Sequence, residues 1–405
     1  MRAYERLLKY AVIRTPSDEN SETVPSTQCQ FDLAKILETE MKELGLEHVH
    51  LDKYCYLYGN LPATEGYESR PAIGFIAHMD TVSDYCGHGI TPVLTENYNG
   101  EAMELANSGL ILDPAVFPHL KSLKGHTLIT SDGTTILGAD DKAGIAEILT
   151  MIERIQAENI PHGKLCVAFT PDEETGAGAS HFNVEEFGAD YAYTMDGSTE
   201  GEIQYENFNA CKACFEIKGF SVHPGSSKNT MINASLVAIE INNLLPGCET
   251  PRGTEDYEGF YHLISMSGDC GSAQLNYIVR DHDKNLFEAR KHTLRQIEKN
   301  LNEKWGAGTV TLTITDQYKN MAEIIAGCMH LIDNARTACK AAGVTPLVIP
   351  IRGGTDGCQL SFKGLPCPNL GTGGYAFHGP YEHITAEAMD KSVDVMMELI
   401  KLYAK

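Results

Sequence analysis

Ala72-Ile-Gly-Phe-Ile-Ala-His-Met-Asp-Thr81 runs six consecutive apolar or small residues straight into an imidazole and a carboxylate. A run with no polar interruption reads as a strand buried on both faces, the kind found in sheets covered by helices. Ligands of open α/β sheets bind outside the carboxyl ends of such strands, so His78 and Asp80 stand where chemistry is done. One histidine at a strand end is also compatible with a purely structural role. The reading therefore depends on whether the pattern recurs.

It does recur. Residues 164–170 and 191–195 are further buried-strand runs, each ending in a polar cluster. Leu33, Ile36, Leu37, Met41 and Leu44 follow helical spacing before Gly45, as do Ile145, Ile148, Leu149, Ile152 and Ile155 later on. Residues 49–58 read as one strand. The expected fold is α/β, a mixed sheet with helices on both faces. Near residue 208 the pattern becomes strand (212–219), helix (231–245), two strands (260–267 and 275–281), helix (284–305) and strand (309–316). That β-α-β-β-α-β order predicts an inserted α+β domain at 208–317, with residues 1–207 and 318–405 forming a larger, discontinuous domain. The α/β pattern resumes with a strand at 347–351 and a closing amphipathic helix through Met389, Val393, Met396, Ile400 and Tyr403.

The 405 residues carry 32 Lys+Arg against 55 Asp+Glu, a formal charge of −23, which disfavours nucleic acid and anionic lipid as partners. No apolar run reaches membrane-span length, and the first ten residues lack an uncharged signal core, so the expectation is a cytoplasmic protein with reduced thiols. Cys211-Lys-Ala-Cys214 has a metal or redox spacing, but it opens a strand and has no second pair, so it is read as structural.

Four more clusters join His78 and Asp80. Gly138-Ala-Asp140-Asp141-Lys142-Ala-Gly144 precedes a helix, where capping accounts for one aspartate more readily than two. Pro171-Asp172-Glu173-Glu174-Thr-Gly176-Ala-Gly178 follows a buried strand, and three adjacent acids repel one another unless a cation or solvent offsets them. Tyr193-Thr-Met195-Asp196-Gly197 ends another strand. Gly373-Gly-Tyr-Ala-Phe-His378-Gly379 adds a second histidine in a glycine-rich loop. Two histidines with several carboxylates and no cysteine suit an open site for zinc or another divalent first-row metal. The Gly353-Gly354-Thr-Asp-Gly357 loop offers backbone donors for an anion but matches no nucleotide-binding motif.

In order and spacing these motifs, with Gly219-Phe-Ser-Val-His223-Pro224-Gly225, resemble the signature of the dinuclear-zinc M20 metallopeptidases over essentially the whole chain. The resemblance implies two Zn2+ per subunit, with Asp140 bridging, His78 and Asp196 on one ion, and Glu174 and His378 on the other. It implies that Asp80 fixes the tautomer of His78, that the Asp140-Asp141 peptide is cis, and that Glu173 is the general base for a metal-bridging hydroxide. His223 would stabilise the oxyanion, Arg280 and Arg352 would clamp the peptide carboxylate, and Asn233 and Lys228 are weaker substrate contacts. The inserted domain would serve as lid and dimerisation domain of a homodimer. The implied activity is that of a metallo-aminopeptidase removing the N-terminal residue from tripeptides. A dipeptidase, a carboxypeptidase, an N-deacylase, or a non-catalytic peptide- or metal-binding relative remain open alternatives.

Overall fold

The computed structural model describes residues 1–86, 89–106 and 108–405. The chain divides into two units, residues 1–205, 323–349 and 355–405 in the first and residues 206–322 and 350–354 in the second.

The first unit is built on an eight-stranded mixed sheet. Its spatial order is Glu47–Leu51, Leu57–Leu61, Leu165–Thr170, Ile73–His78, Tyr191–Gly197, Asn369–Gly371, Glu202–Gln204 and Leu347–Val348. The strands Leu165–Thr170, Ile73–His78, Tyr191–Gly197 and Asn369–Gly371 run parallel, so Thr170, His78, Gly197 and Gly371 all end at one edge. The single strand expected over 49–58 is instead two antiparallel strands. Asp52 breaks it, because its carboxylate accepts hydrogen bonds from the Tyr54 and Tyr56 amides at 2.8 Å each and closes a turn.

Alternation along the strands feeds two apolar layers, one on each face. Ile76, Cys166, Ala168 and Ala192 pack with Phe182, Phe187 and Leu360. On the other face Phe75 stacks on Tyr193, whose hydroxyl meets Tyr403 Oη at 2.7 Å and donates to the Leu331 carbonyl at 2.9 Å. The helix Ala139–Ala157 lies against the strands Ile73–His78 and Tyr191–Gly197, and the helices Ala3–Ala11 and Ala386–Tyr403 pack against it in turn. This is the α/β architecture with helices on both faces that the hydrophobic pattern predicts.

A second, four-stranded antiparallel sheet, Gly374–Tyr375, His383–Thr385, Leu128–Ser131 and Pro92–Thr95, carries the loop that holds His378. The N-terminal segment is strapped across the start of the site. Thr81 N donates to the Thr15 carbonyl and Ser17 N to the Thr81 carbonyl, each at 3.0 Å, and buried Lys142 donates to the Ile13 carbonyl at 2.7 Å.

The second unit has an antiparallel sheet ordered Phe260–Gly268, Ser272–Asp281, Asn209–Lys218 and Val310–Tyr318, with the helices Ala234–Asn243 and Lys284–Trp305 packed on it. Phe215, Leu275 and Val279 meet Ala238, Ile241, Leu294 and Ile297 in its core. The helix expected from residue 231 starts at Ala234, because Asn233 Oδ1 accepts from Leu236 N at 3.2 Å and caps it. Cys211 is buried in that core, whereas Cys214, three residues on and of opposite parity, meets the Gln274 side chain on the far face. Two thiols on opposite faces cannot share an ion, and all twelve cysteines are free. Among the described residues no helix is long and apolar enough to cross a membrane.

Close packing at Gly144 fixes how the helix Ala139–Ala157 meets the sheet. A Cβ there would overlap the Met195 carbonyl oxygen and the Asp141 carboxylate. Overpacking of this kind costs roughly 1–3 kcal/mol, so Gly144→Ala is expected to lower the thermal midpoint by roughly 3–10 °C. Gly327→Ala, where a Cβ meets nothing within 4 Å, should leave it within about 1 °C in the same calorimetric comparison.

Candidate metal centre

The parallel edge gathers four of the five expected ligands, and the glycine-rich loop brings the fifth. His78 is the last residue of its strand, Asp196 the last but one of the next, and Glu174 lies in the turn after Thr170. Asp140 begins the long helix with non-helical dihedrals (φ −83°, ψ 105°), and the Asp140-Asp141 peptide is cis.

Asp140 sits between the two imidazoles. Its Oδ1 is 3.0 Å from His78 Nε2, and its Oδ2 is 3.0 Å from His378 Nε2. Asp196 Oδ1 lies 3.5 Å from His78 Nε2, and Glu174 Oε2 lies 3.3 Å from His378 Nε2. Ligand atoms of His78, Asp140 and Glu174 all fall within 4.8 Å of one another, as do those of His78, Asp141 and Asp196. Asp141 differs from Asp140 in being held by the backbone, since its carboxylate accepts from His78 N at 3.1 Å and Gly144 N at 3.3 Å.

Asp80 plays a broader part than its motif suggests. The nearer partner of His78 Nδ1 is the Asp80 carbonyl oxygen at 2.9 Å, with the carboxylate at 3.4 Å. Both arrangements leave Nε2 as the free donor atom facing Asp140. The buried Asp80 carboxylate also accepts from Glu173 N at 3.0 Å and Glu174 N at 3.2 Å, so one aspartate orients a ligand histidine and the turn carrying two acids.

The three adjacent acids separate. Asp172, in the left-handed region at φ 58°, turns to the N-terminal segment and accepts from Ser26 N, Ser26 Oγ and Gln30 Nε2 at 2.7, 2.5 and 2.7 Å. Glu174 turns to His378, and its Oε1 is buried with no hydrogen-bond partner among the described residues, a lone pair that a cation would satisfy. The Glu173 carboxylate accepts no hydrogen bond among the described residues.

The electrostatics follow from burial and proximity. Burial opposes charge on His78, but the carboxylates of Asp140, Asp196 and Asp80 outweigh it and hold the imidazolium well above the usual histidine range. Hydrogen bonds to Asp140 and Glu174 push His378 up to about 11. Burial, aided by Asp140, raises Glu174 to about 7, and burial followed by Asp196 lifts Glu173 well above the carboxylate range. Asp140 moves the other way, because hydrogen bonds from His378 and His78 overcome its burial. These groups hold protons tightly against one another, and a divalent ion replaces protons in such a set.

Two further buried acids escaped the motif reading. Glu382 accepts from three backbone amides of the loop before Asp140. Asp356 accepts from Thr170 Oγ1 at 2.8 Å, has an Oδ1 without a partner among the described residues, and is pushed up to about 7 by burial. In sequence both look like ordinary loop acids. The one available signal for Asp356 was its place in the Gly353–Gly357 loop, which was read for its backbone donors.

The second unit is described by itself. His223 is exposed and its Nδ1 accepts from Gly225 N at 3.1 Å, which leaves the hydrogen on Nε2. Arg280 donates to Gln317 Oε1 at 3.0 Å and lies over the Tyr318 ring. Arg352 departs from expectation. Its guanidinium donates to the carbonyls of Asp256, Glu258 and Thr254 and to Thr254 Oγ1, and it lies over Phe208, so the fork meant for a carboxylate holds the 254–258 loop. Asn233 Oδ1 is likewise engaged as a helix cap, and Lys228 is exposed, its carbonyl accepting from Thr230 Oγ1.

Residues 130–402 match the model of peptidase family M20/M25/M40. A Peptidase T from Desulfitobacterium hafniense is 53% identical over 403 residues, covering 99% of this chain and 98% of that protein. A Peptidase T from Clostridium perfringens is 50% identical over 405 residues, covering 100% and 99%. The crystal structure of aminopeptidase PepT from Bacillus cereus shares the fold, with a TM-score of 0.79 at 24% identity over 100% of this chain and 98% of that one. The family match over residues 130–402, together with full-length relatives at half identity, shows that this chain belongs to peptidase family M20/M25/M40 and is a peptidase.

Proposed function

We propose that the chain is a zinc-dependent aminopeptidase that releases the N-terminal residue of tripeptides. The observation that carries the metal part is Asp140, with one oxygen facing each imidazole at 3.0 Å. The tripeptide part is supported by full-length relatives named Peptidase T.

In this reading His78 and Asp196 would hold one Zn2+, Glu174 and His378 would hold the other, and Asp140 would serve both. When bound, the metals supply Lewis acidity, which polarises the scissile carbonyl and makes a water acidic near neutral pH. The chain supplies the rest. Glu173, one residue from an anchored ligand and itself unheld, takes the proton of the attacking water and returns it to the leaving amine. Asp80 keeps His78 Nε2 bare and fixes the turn from which Glu173 and Glu174 project.

For the second unit the resemblance supports His223, and side-chain chemistry adds Arg280 and Asn233, as substrate contacts. His223 donates to the oxyanion through Nε2–H, Arg280 meets the peptide carboxylate, and Asn233 contacts the peptide through Nδ2, its Oδ1 being a cap. The homodimer belongs to the same proposal. The edge strand Phe260–Gly268 exposes Ile264 (56%) and Met266 (43%), an apolar edge that pairing with a second copy would cover.

Zinc-loaded protein given matched di-, tri- and tetrapeptides should cleave the tripeptide best, release its N-terminal residue by mass, and stop when chelator is added. Preference for another length or for acylated amino acids would replace the tripeptide reading with a dipeptidase or deacylase. Glu173→Gln is expected to keep its metal stoichiometry while turnover falls by about 10²–10⁴-fold, whereas His78→Ala and His378→Ala should lose metal by elemental analysis. Retained activity in Glu173→Gln would remove it as the base. Ile264→Lys should shift the sedimentation of the protein from dimer to monomer, and an unchanged profile would place the interface elsewhere.

A further inference from the structure

Glu382 lies four residues after His378, in the loop between the strands Gly374–Tyr375 and His383–Thr385, and is 1% exposed. Its Oε2 accepts from Leu137 N at 2.7 Å and Gly138 N at 2.8 Å, and its Oε1 accepts from Asp140 N at 3.0 Å. Three amides converging on one carboxylate make a concave backbone anion site, filled here from within the chain. Gly138 permits it. At φ 72° and ψ 27° it is left-handed, a conformation that costs glycine little.

The contacts close a ring. Asp140 N is tied to Glu382, Asp140 Oδ2 faces His378 Nε2 at 3.0 Å, and residues 379–381 link His378 back to Glu382. The backbone that aims Asp140 and the loop that brings His378 are thus held to one another through backbone amides, away from the Asp140 carboxylate and the His378 ring. We propose that Glu382 is a positioning residue for the metal centre, locking the 137–140 loop to the His378 loop so that Asp140 and His378 act on the same ion. This rests on the two-metal reading above. Partners that orient ligands without binding metal change affinity by about 10–100-fold when removed, and that is the scale expected here.

The test uses the purified full-length chain, zinc titrated against a fluorescent chelator, and the visible absorption of the cobalt(II)-substituted protein. Glu382→Gln has nearly the same shape but keeps one acceptor oxygen in place of two. It should bind at least one of the two ions about 10–100-fold more weakly, shift the cobalt bands, and lower kcat with KM little changed. Asp52→Asn also removes a carboxylate from backbone amides, in a turn remote in sequence from the motifs, and should match wild type in zinc affinity and cobalt spectrum. A folded Glu382→Gln protein with two zinc ions at wild-type affinity and a wild-type cobalt spectrum would overturn the proposal and leave the two-metal reading intact. Wild-type protein that binds no zinc would overturn both. If Glu382→Gln does not fold, Glu382→Asp, which retracts the carboxylate by one carbon, decides by the same criteria.

Discussion

Each oxygen of Asp140 faces a histidine nitrogen at 3.0 Å, and the geometry of the site depends on that single carboxylate being held between two imidazoles. The histidines come from distant parts of the chain, one at the end of a central strand and the other in a loop more than two hundred residues later. A carboxylate offers two divergent lone-pair directions and so can serve two partners without either displacing the other. The parallel order of four strands makes the meeting possible, since it brings Thr170, His78, Gly197 and Gly371 to one edge. Gly144 lets the helix carrying Asp140 approach the strand carrying Asp196 closely enough to complete the set.

Gathering so many acids beneath the surface has to be offset locally, and the structure does this by giving each one a different partner. Asp172 is taken by Ser26 and Gln30, Asp80 by the amides of Glu173 and Glu174, Asp141 by those of His78 and Gly144, and Glu382 by those before Asp140. Backbone N–H groups stabilise a buried carboxylate without contributing a countercharge that would compete for a cation. What remains without such support is the group of Asp140, Asp196 and Glu174 with the two histidines, and Glu173 beside them. The separation of structural acids from ligand acids is therefore set by where free amides point.

Much of this was legible in the sequence because strands buried on both faces cannot hide their ends. A run such as Ile73 to Ala77 has one place for polar chemistry, its carboxyl terminus, and the motifs at 78–80, 138–144, 171–178 and 196–197 fall there or at a helix start. The order of elements in the second unit could likewise be read from alternation and helical spacing. Features set by individual hydrogen bonds rather than by periodicity could not. Asp52 divides a run of strand-like residues through a turn that pattern alone does not mark. Arg352 has the sequence context of an anion clamp, but its fork is satisfied by the carbonyls of a loop nearly a hundred residues away in sequence. Glu382 and Asp356 are buried by folds of the chain that bring no periodicity of their own.

The same reasoning explains why the centre combines firmly held atoms with one that is not. A ligand must stay fixed, and Asp140 and His78 each have a second anchor, through Glu382 and Asp80 respectively. A base must move a proton between two positions during turnover, and a carboxylate held by several hydrogen bonds is a weaker base. Glu173 is fixed by its backbone amide at Asp80, while its side chain accepts no hydrogen bond among the described residues. Position is supplied through the main chain and basicity is left to the side chain. Two adjacent glutamates differ in role because Glu174 has His378 opposite it and Glu173 does not.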